Sequence, residues 1–131
     1  MVRSILAIVV GFVVWSVVWL AAGLATHAIF PSAYAESGAV AALAPLATLL
    51  LASVICSIAA GAATAAITRP RSITPAWMLA CILLGVGIMV EASIWTLIPS
   101  WYHIVFLVLL VPATIAGASM VAGAKAGAAP T

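Results

Sequence analysis

Polar side chains interrupt this chain at only a few places, and between them run four apolar stretches: about Ser4 to Phe30, Ala41 to Thr68, Pro75 to Ile98 and Trp101 to Gly123. Each exceeds the roughly 20 residues that carry a helix across a hydrocarbon core of about 30 Å. None alternates apolar and polar positions in segments of about ten, the pattern of a membrane β-barrel. The pattern therefore predicts an all-α membrane protein: a four-transmembrane-helix antiparallel bundle forming a single transmembrane domain over residues 1–131. Backbone groups that face lipid must be paired within the helix, so the helices are expected to be continuous.

The interruptions carry helix punctuation. Thr74 before Pro75 reads as an N-cap with proline at the first helical position, and Ser100 before Trp101 as a second N-cap. Pro31, Pro70 and Pro99 each follow an apolar run and mark its end, because the residue before proline is pushed out of the helical region. Pro112 falls inside the fourth stretch and predicts a bend about one turn before it. The gap Pro99-Ser100 is so short that the third and fourth helices are expected to be antiparallel neighbours.

Composition and charge agree with this class and add an orientation. The 131 residues are 68% hydrophobic and 5% charged, against about a quarter charged in soluble domains. Arg3 precedes the first stretch, Arg69 and Arg71 lie in the second gap, and Lys125 follows the fourth stretch. An even number of spans gathers all of them on one side, which the positive-inside rule makes cytoplasmic, with both termini there. Trp95, Trp101 and Tyr102 then fall at the outer interface and Trp77 at the inner one, where amphipathic rings prefer to lie. The first stretch is about twice as long as the 7–15-residue apolar region of a cleavable secretory signal, so it is read as a span. A net charge of +2, scattered along the chain, is no nucleic-acid footprint, which needs a basic cluster. The partners expected are the lipid bilayer, other membrane protein subunits or a second copy in a homodimer, with no nucleic acid. The expected location is a bacterial inner membrane.

Small residues recur at helical spacing. Ser53, Ser57, Gly61 and Ala65 repeat every fourth residue, beside a second row of Thr48, Ala52, Cys56, Ala60, Thr64 and Thr68. Such rows let helix backbones approach closely, which matters in lipid because the usual hydrophobic drive between helices is missing. The second helix is thus expected at the centre of the bundle, its rows serving intrachain packing or a homo-oligomer contact. The end of the fourth helix, with Ala113, Ala116, Gly117, Ser119 and Gly123, is similarly small. Cys56 and Cys81 fall about 8 Å apart in depth at helical rise, too far for a disulfide.

Glu91 is the one acid inside an apolar stretch. Seven residues before Ile98, it is expected about 10 Å below the outer end of its helix. A charge there costs roughly 2.5 kcal/mol or more unless it is neutralised, paired or wetted. Gly87 and Trp95, at i−4 and i+4, share its face, and Thr48 on the second helix lies at a similar depth as a hydrogen-bond donor. Glu91, Trp95 and Thr48 form the candidate proton or solute site. His27, Glu36, Tyr102 and His103 form a candidate outer polar cluster. His27 and His103 also raise the remote alternative of axial haem ligation, although no acid is placed in sequence to orient either ring. There is no C-x-x-C, H-E-x-x-H, glycine-rich phosphate loop or Gly-x-Ser-x-Gly elbow, so no catalytic, metal or cofactor site is expected.

Trp95 to Ala118, read W-T-L-I-P-S-W-Y-H-I-V-F-L-V-L-L-V-P-A-T-I-A-G-A, together with the F-P-x-A-Y element from Phe30 to Tyr34, resembles small uncharacterised bacterial four-span membrane proteins. That resemblance implies topology and no activity. Small multidrug-resistance transporters are similar in size and span number, but their essential membrane glutamate lies in the first helix. Here the first helix holds Trp15, Ser16 and Trp19 and no acid. The functional expectation is a membrane protein without enzymatic activity, an accessory or structural subunit of a larger complex. The alternative is a small proton-coupled transporter using Glu91.

Overall fold

Uninterrupted apolar sequence becomes helix because no other backbone arrangement satisfies every N–H and C=O without water. The computed structural model describes residues 1–68 and 72–128. Four α-helices account for most of them: α1 (Val2–Ile29), α2 (Leu43–Ile67), α3 (Thr74–Ser93) and α4 (Ser100–Gly127). All four are long and apolar enough to cross a membrane. At 28 residues each, α1 and α4 are about 42 Å long and exceed the hydrocarbon thickness. Among the described residues there is no strand beyond one isolated bridge, Tyr34 to Val40.

Several helix ends differ from those expected. Neither Thr74 nor Ser100 is a cap: Ile73 and Pro99 precede α3 and α4, and neither helix start has a side-chain cap hydrogen bond. α3 stops at Ser93 instead of Ile98. The next residues fold into tight turns, with the Ile94 N–H donating to the Glu91 carbonyl (3.3 Å) and the Leu97 N–H to the Ile94 carbonyl (2.9 Å). The Leu97 carbonyl then accepts from the Val40 N–H at 2.9 Å, so the α3–α4 connection is tied to the α1–α2 connection. Non-helical backbone is tolerated here because protein supplies its partners. α4 runs on past Gly123 to Gly127 and passes unbroken through Pro112. The reading of Pro70 as a helix end, and of Arg69 and Arg71 as cytoplasmic cations, lies outside the described residues.

α2 is the centre of the bundle, packed most extensively against α4 and then against α1, with α3 lying between α4 and α1. Ser53, Ser57, Gly61 and Ala65 are all buried. A Cβ on Gly61 would lie 1.9 Å from the Thr114 carbonyl oxygen, and one on Gly117 would lie 2.0 Å from that of Ile58. Backbone therefore meets backbone along this seam, which the small rows on both helices permit. Ser57 accepts a hydrogen bond from Trp15 Nε1 at 3.2 Å. Thr64 Oγ1 shares its proton between the Ala60 carbonyl of its own helix (2.9 Å) and the Ala7 carbonyl of α1 (3.2 Å). The small rows are thus occupied by helices of the same chain.

Chain direction follows from the contact pairs. Ile58 meets Gly117 and Ala65 meets Lys125, so α2 and α4 run parallel. Gly87 meets Phe106 and Leu110, while Glu91 meets His103, so α3 and α4 run antiparallel as expected from the short gap. At the C-terminal end of α2, Lys125 Nζ donates to the carbonyls of Ala65, Ala66 and Thr68 at 2.9, 2.7 and 3.2 Å. Arg3 Nε donates to the Ile67 carbonyl at the same end. Two cations thus satisfy carbonyls that a helix C-terminus leaves without intrahelical partners, and oppose the negative end of its dipole. Lys125 belongs to the last turn of α4 and does not trail behind it.

Outward faces are mostly apolar. On α1, Leu6, Val9, Val13, Val17, Leu20 and Leu24 are exposed along one stripe, and Ile55, Met89, Val108 and Met120 project from the other helices. Exposed apolar surface on this scale is unstable in water and suits hydrocarbon.

Candidate functional site

Glu91 sits in the last turn of α3, and the stop at Ser93 gives it a partner the sequence did not suggest. The turns over 94–99 bring the start of α4 back against α3, so that His103 Nδ1 meets Glu91 Oε2. Both side chains are buried, at 0% and 2% exposed. Glu91 is therefore not 10 Å below a helix end, as a helix reaching Ile98 would require. Nor is Thr48 its donor: Thr48 Oγ1 bonds the Ala44 carbonyl of its own helix at 2.9 Å. A threonine in an apolar helix finds that carbonyl closer than any neighbour.

The second nitrogen of His103 fixes the protons. Nε2 lies 3.1 Å from the Ile98 carbonyl oxygen. A carbonyl only accepts, so Nε2 must carry a hydrogen. With Nε2 protonated, a single proton remains to be shared by Nδ1 and Oε2. The pair is then either imidazolium with carboxylate or imidazole with carboxylic acid, and it is neutral overall in both forms. Losing that proton would set a nitrogen lone pair against a carboxylate, an unsatisfied contact in a buried site.

Aromatic rings enclose the pair. Trp95 stacks over His103 with ring centroids 4.5 Å apart and planes 16° from parallel. Trp95 thus covers the histidine and is not among the residues that line the cleft beside Glu91. Tyr102 lies edge-on to His103 at 6.1 Å and stacks on Phe106, also at 6.1 Å; Phe106 meets Trp19 at 5.2 Å, and Trp19 stacks on Trp15 at 5.8 Å. The rings form a continuous column from the Glu91–His103 pair to Ser57. Tyr102 is 1% exposed and belongs to the core, not to the interface where its place in sequence suggested it. Gly87 leaves no gap beside Glu91, because Phe106, Leu107 and Leu110 fill the space.

On its other side Glu91 borders a cleft of about 370 Å³. Its walls include Trp19, Leu20, Leu24 and His27 of α1, Leu49 of α2, and Tyr34, Val90, Ile98 and Tyr102. Trp19 and Tyr34 were not anticipated as site residues. Trp19 lies eight residues before His27 on α1 and Tyr34 seven after it in the α1–α2 connection, a spacing that gave no signal by itself. Burial raises the Tyr34 phenol above its ordinary range, so it stays neutral at physiological pH.

The expected outer polar cluster is not assembled as a unit. His103 joins Glu91, and Tyr102 joins the aromatic column. His27 is exposed and packs edge-on against Tyr34 at 4.4 Å. Glu36 is exposed near the tip of the α1–α2 connection, where Gly38 supplies a positive φ of 81° for the turn. His103 has both ring nitrogens engaged with protein atoms, which leaves none for an iron shared with His27. Cys56 and Cys81 are both free thiols. No described group of three or more His, Cys, Asp or Glu side chains is placed to hold a metal ion. No protein-family profile, curated protein or solved structure matches this chain, so its chemistry is read from this site alone.

Proposed function

We propose that this chain is a noncatalytic multi-pass protein of a bacterial inner membrane that exchanges a proton for a small solute at the Glu91–His103 pair. The observation that carries this reading is the Ile98 carbonyl at His103 Nε2, because it leaves one proton shared between Nδ1 and Oε2 beside an open cleft. A positive charge arriving at the carboxylate offsets the loss of that proton, and the proton returns when the charge departs. In proteoliposomes loaded with a pH-sensitive dye, gradients of cationic, neutral and anionic solutes are imposed in turn. At least one class is expected to drive proton flux through the unaltered protein and none through Glu91→Gln. Proton flux with no solute of any class would sink this function.

The orientation proposed places both termini and the C-terminal end of α2 in the cytoplasm. It is supported by Arg3 and Lys125 meeting at that end and by the positive-inside rule. Ser37→Cys, near the tip of the opposite connection, is expected to react with a membrane-impermeant maleimide added to intact cells. Labelling that appears only after lysis reverses the topology.

A second reading, an accessory subunit of a larger complex or a homodimer, draws on the broad outward face of α1. It requires a second polypeptide, or a second copy, to stay with the chain through mild-detergent purification, and Glu91→Gln to leave that assembly intact.

A further inference from the structure

We infer that the seam between α1 and α3 is a binding track for an amphipathic organic cation, with its ammonium group at Glu91 and its apolar tail along the seam. This rests on the proton-exchange reading above and names the solute.

The carboxylate supplies the first half of the argument. Glu91 uses Oε2 for His103, and Oε1 has no hydrogen-bond partner among the described residues. No described buried side-chain oxygen or nitrogen lacks a partner, so Oε1 is not fully buried. The cleft is the opening Glu91 borders. Among the described residues no lysine or arginine lines that cleft. The titratable groups facing it are His27 of α1, Tyr34 of the α1–α2 connection and Tyr102 of α4, with His103 behind the carboxylate. Trp19, Tyr34 and Tyr102 present aromatic rings to the same space, and rings attract cations through their faces. A neutral or anionic ligand would find only the hydrogen-bond donors of His27, Tyr34 and Tyr102 there, and would face the Glu91 carboxylate.

The shape supplies the second half. Leu20, Leu24 and Val90 border the cleft and are also exposed on the outside of the bundle, so the cleft opens sideways into lipid. Along the same seam Ile8, Val9 and Phe12 of α1 and Ile82 and Val86 of α3 line a second opening of about 260 Å³. Ile82, Val86 and Val90 follow one another at four-residue steps and share a face of α3. From Glu91 to Ile82 is about 13 Å at helical rise, and the second opening is lined only by apolar residues, with Ser16 of α1 the one polar residue on the face between Phe12 and Leu20; the seam thus suits an alkyl chain that approaches from the bilayer. The step balances as an exchange: the cation contacts Oε1, the shared proton leaves His103 and Glu91 for water, and the site stays neutral.

The test uses the full chain in nanodiscs, with protein-free discs as the blank. Dodecyltrimethylammonium is titrated below its micellar concentration, with dodecanol and dodecyl sulfate as neutral and anionic counterparts. Tryptophan quenching reports binding, and a dye in weak buffer reports proton release. Saturable quenching is expected for the cation alone, with a proton released for each cation bound. Glu91→Gln is expected to abolish the release and weaken binding about tenfold. Val90→Trp fills the rim without touching the carboxylate, and is expected to weaken binding by roughly the same factor with thermal stability unchanged. Equal binding of dodecanol, or cation binding unchanged in both variants, overturns the proposal. Cation binding without proton release leaves the ligand in place and overturns the proton-exchange function. Proton flux driven by another solute, with no dodecyltrimethylammonium binding, leaves that function in place and overturns the ligand.

Discussion

Gly61→Ala and Gly117→Ala are each expected to destabilise the folded bundle by about 1–3 kcal/mol, the range for overpacking a filled site. A methyl group on Gly61 would fall 1.9 Å from the Thr114 carbonyl oxygen and 2.8 Å from its carbon, and one on Gly117 would meet Ile58 backbone at 2.0 to 2.9 Å. The obstacle in each case is backbone of a packed helix, which has no rotamer to move aside. α2 and α4 must therefore separate along the seam where they are closest, and the dispersion contacts around it weaken together. Gly85→Ala is the control. Nothing lies within 4 Å of a Cβ there, and alanine is favoured over glycine in a helix by up to about 1 kcal/mol. Thermal unfolding in mild detergent followed by circular dichroism measures all three. Equal stability of Gly61→Ala and Gly85→Ala would remove the close α2–α4 approach from the account.

His103→Ala is expected to lower stability by about 2 kcal/mol while Glu91→Gln leaves it within about 0.5 kcal/mol of the unaltered protein. His103 holds three contacts at once: Glu91 through Nδ1, the Ile98 carbonyl through Nε2, and the face of Trp95. Truncation removes them all, opens a cavity and leaves the carboxyl group and a carbonyl without partners. Glutamine behaves differently. With Nε2 protonated, Nδ1 is an acceptor, and a glutamine amide donates to it in the place of the shared proton. The fold is kept and the exchangeable proton is lost. Thermal unfolding reads the first effect, and nitrogen NMR of the imidazole reads the second as a neutral ring in Glu91→Gln. A Glu91→Gln protein as unstable as His103→Ala would mean that the charge, and not the hydrogen bond, holds α3 to α4.

The sequence made the spans legible because charged residues, at 5% of the chain, are sparse enough to punctuate it. Glu91 was legible for the same reason. Its partner was not, because Ile94, Trp95, Leu97 and Ile98 are apolar whether they continue a helix or fold into turns shielded by protein. Reading them as helix lowered Glu91 in the membrane and brought it level with Thr48. The hidden datum is the stop at Ser93, and it alone moves His103 into reach. Similarly, the small rows of α2 announced a close neighbour but not which one. A row of small residues specifies distance of approach and carries little information about identity. The small end of α4 was the matching half, visible in sequence and paired only in three dimensions.

The side-by-side run of α2 and α4 imposes an order of assembly. A chain made from its N-terminus completes α1, α2 and α3 while the small face of α2 around Gly61 still lacks its cover, since that cover is Thr114, Gly117 and Ala118 of α4. Lys125, later still, covers the Ala65, Ala66 and Thr68 carbonyls of that region. The interior of the bundle is thus sealed by the last of these four helices, and a chain that stops after α3 leaves α2 with an open, backbone-exposing flank.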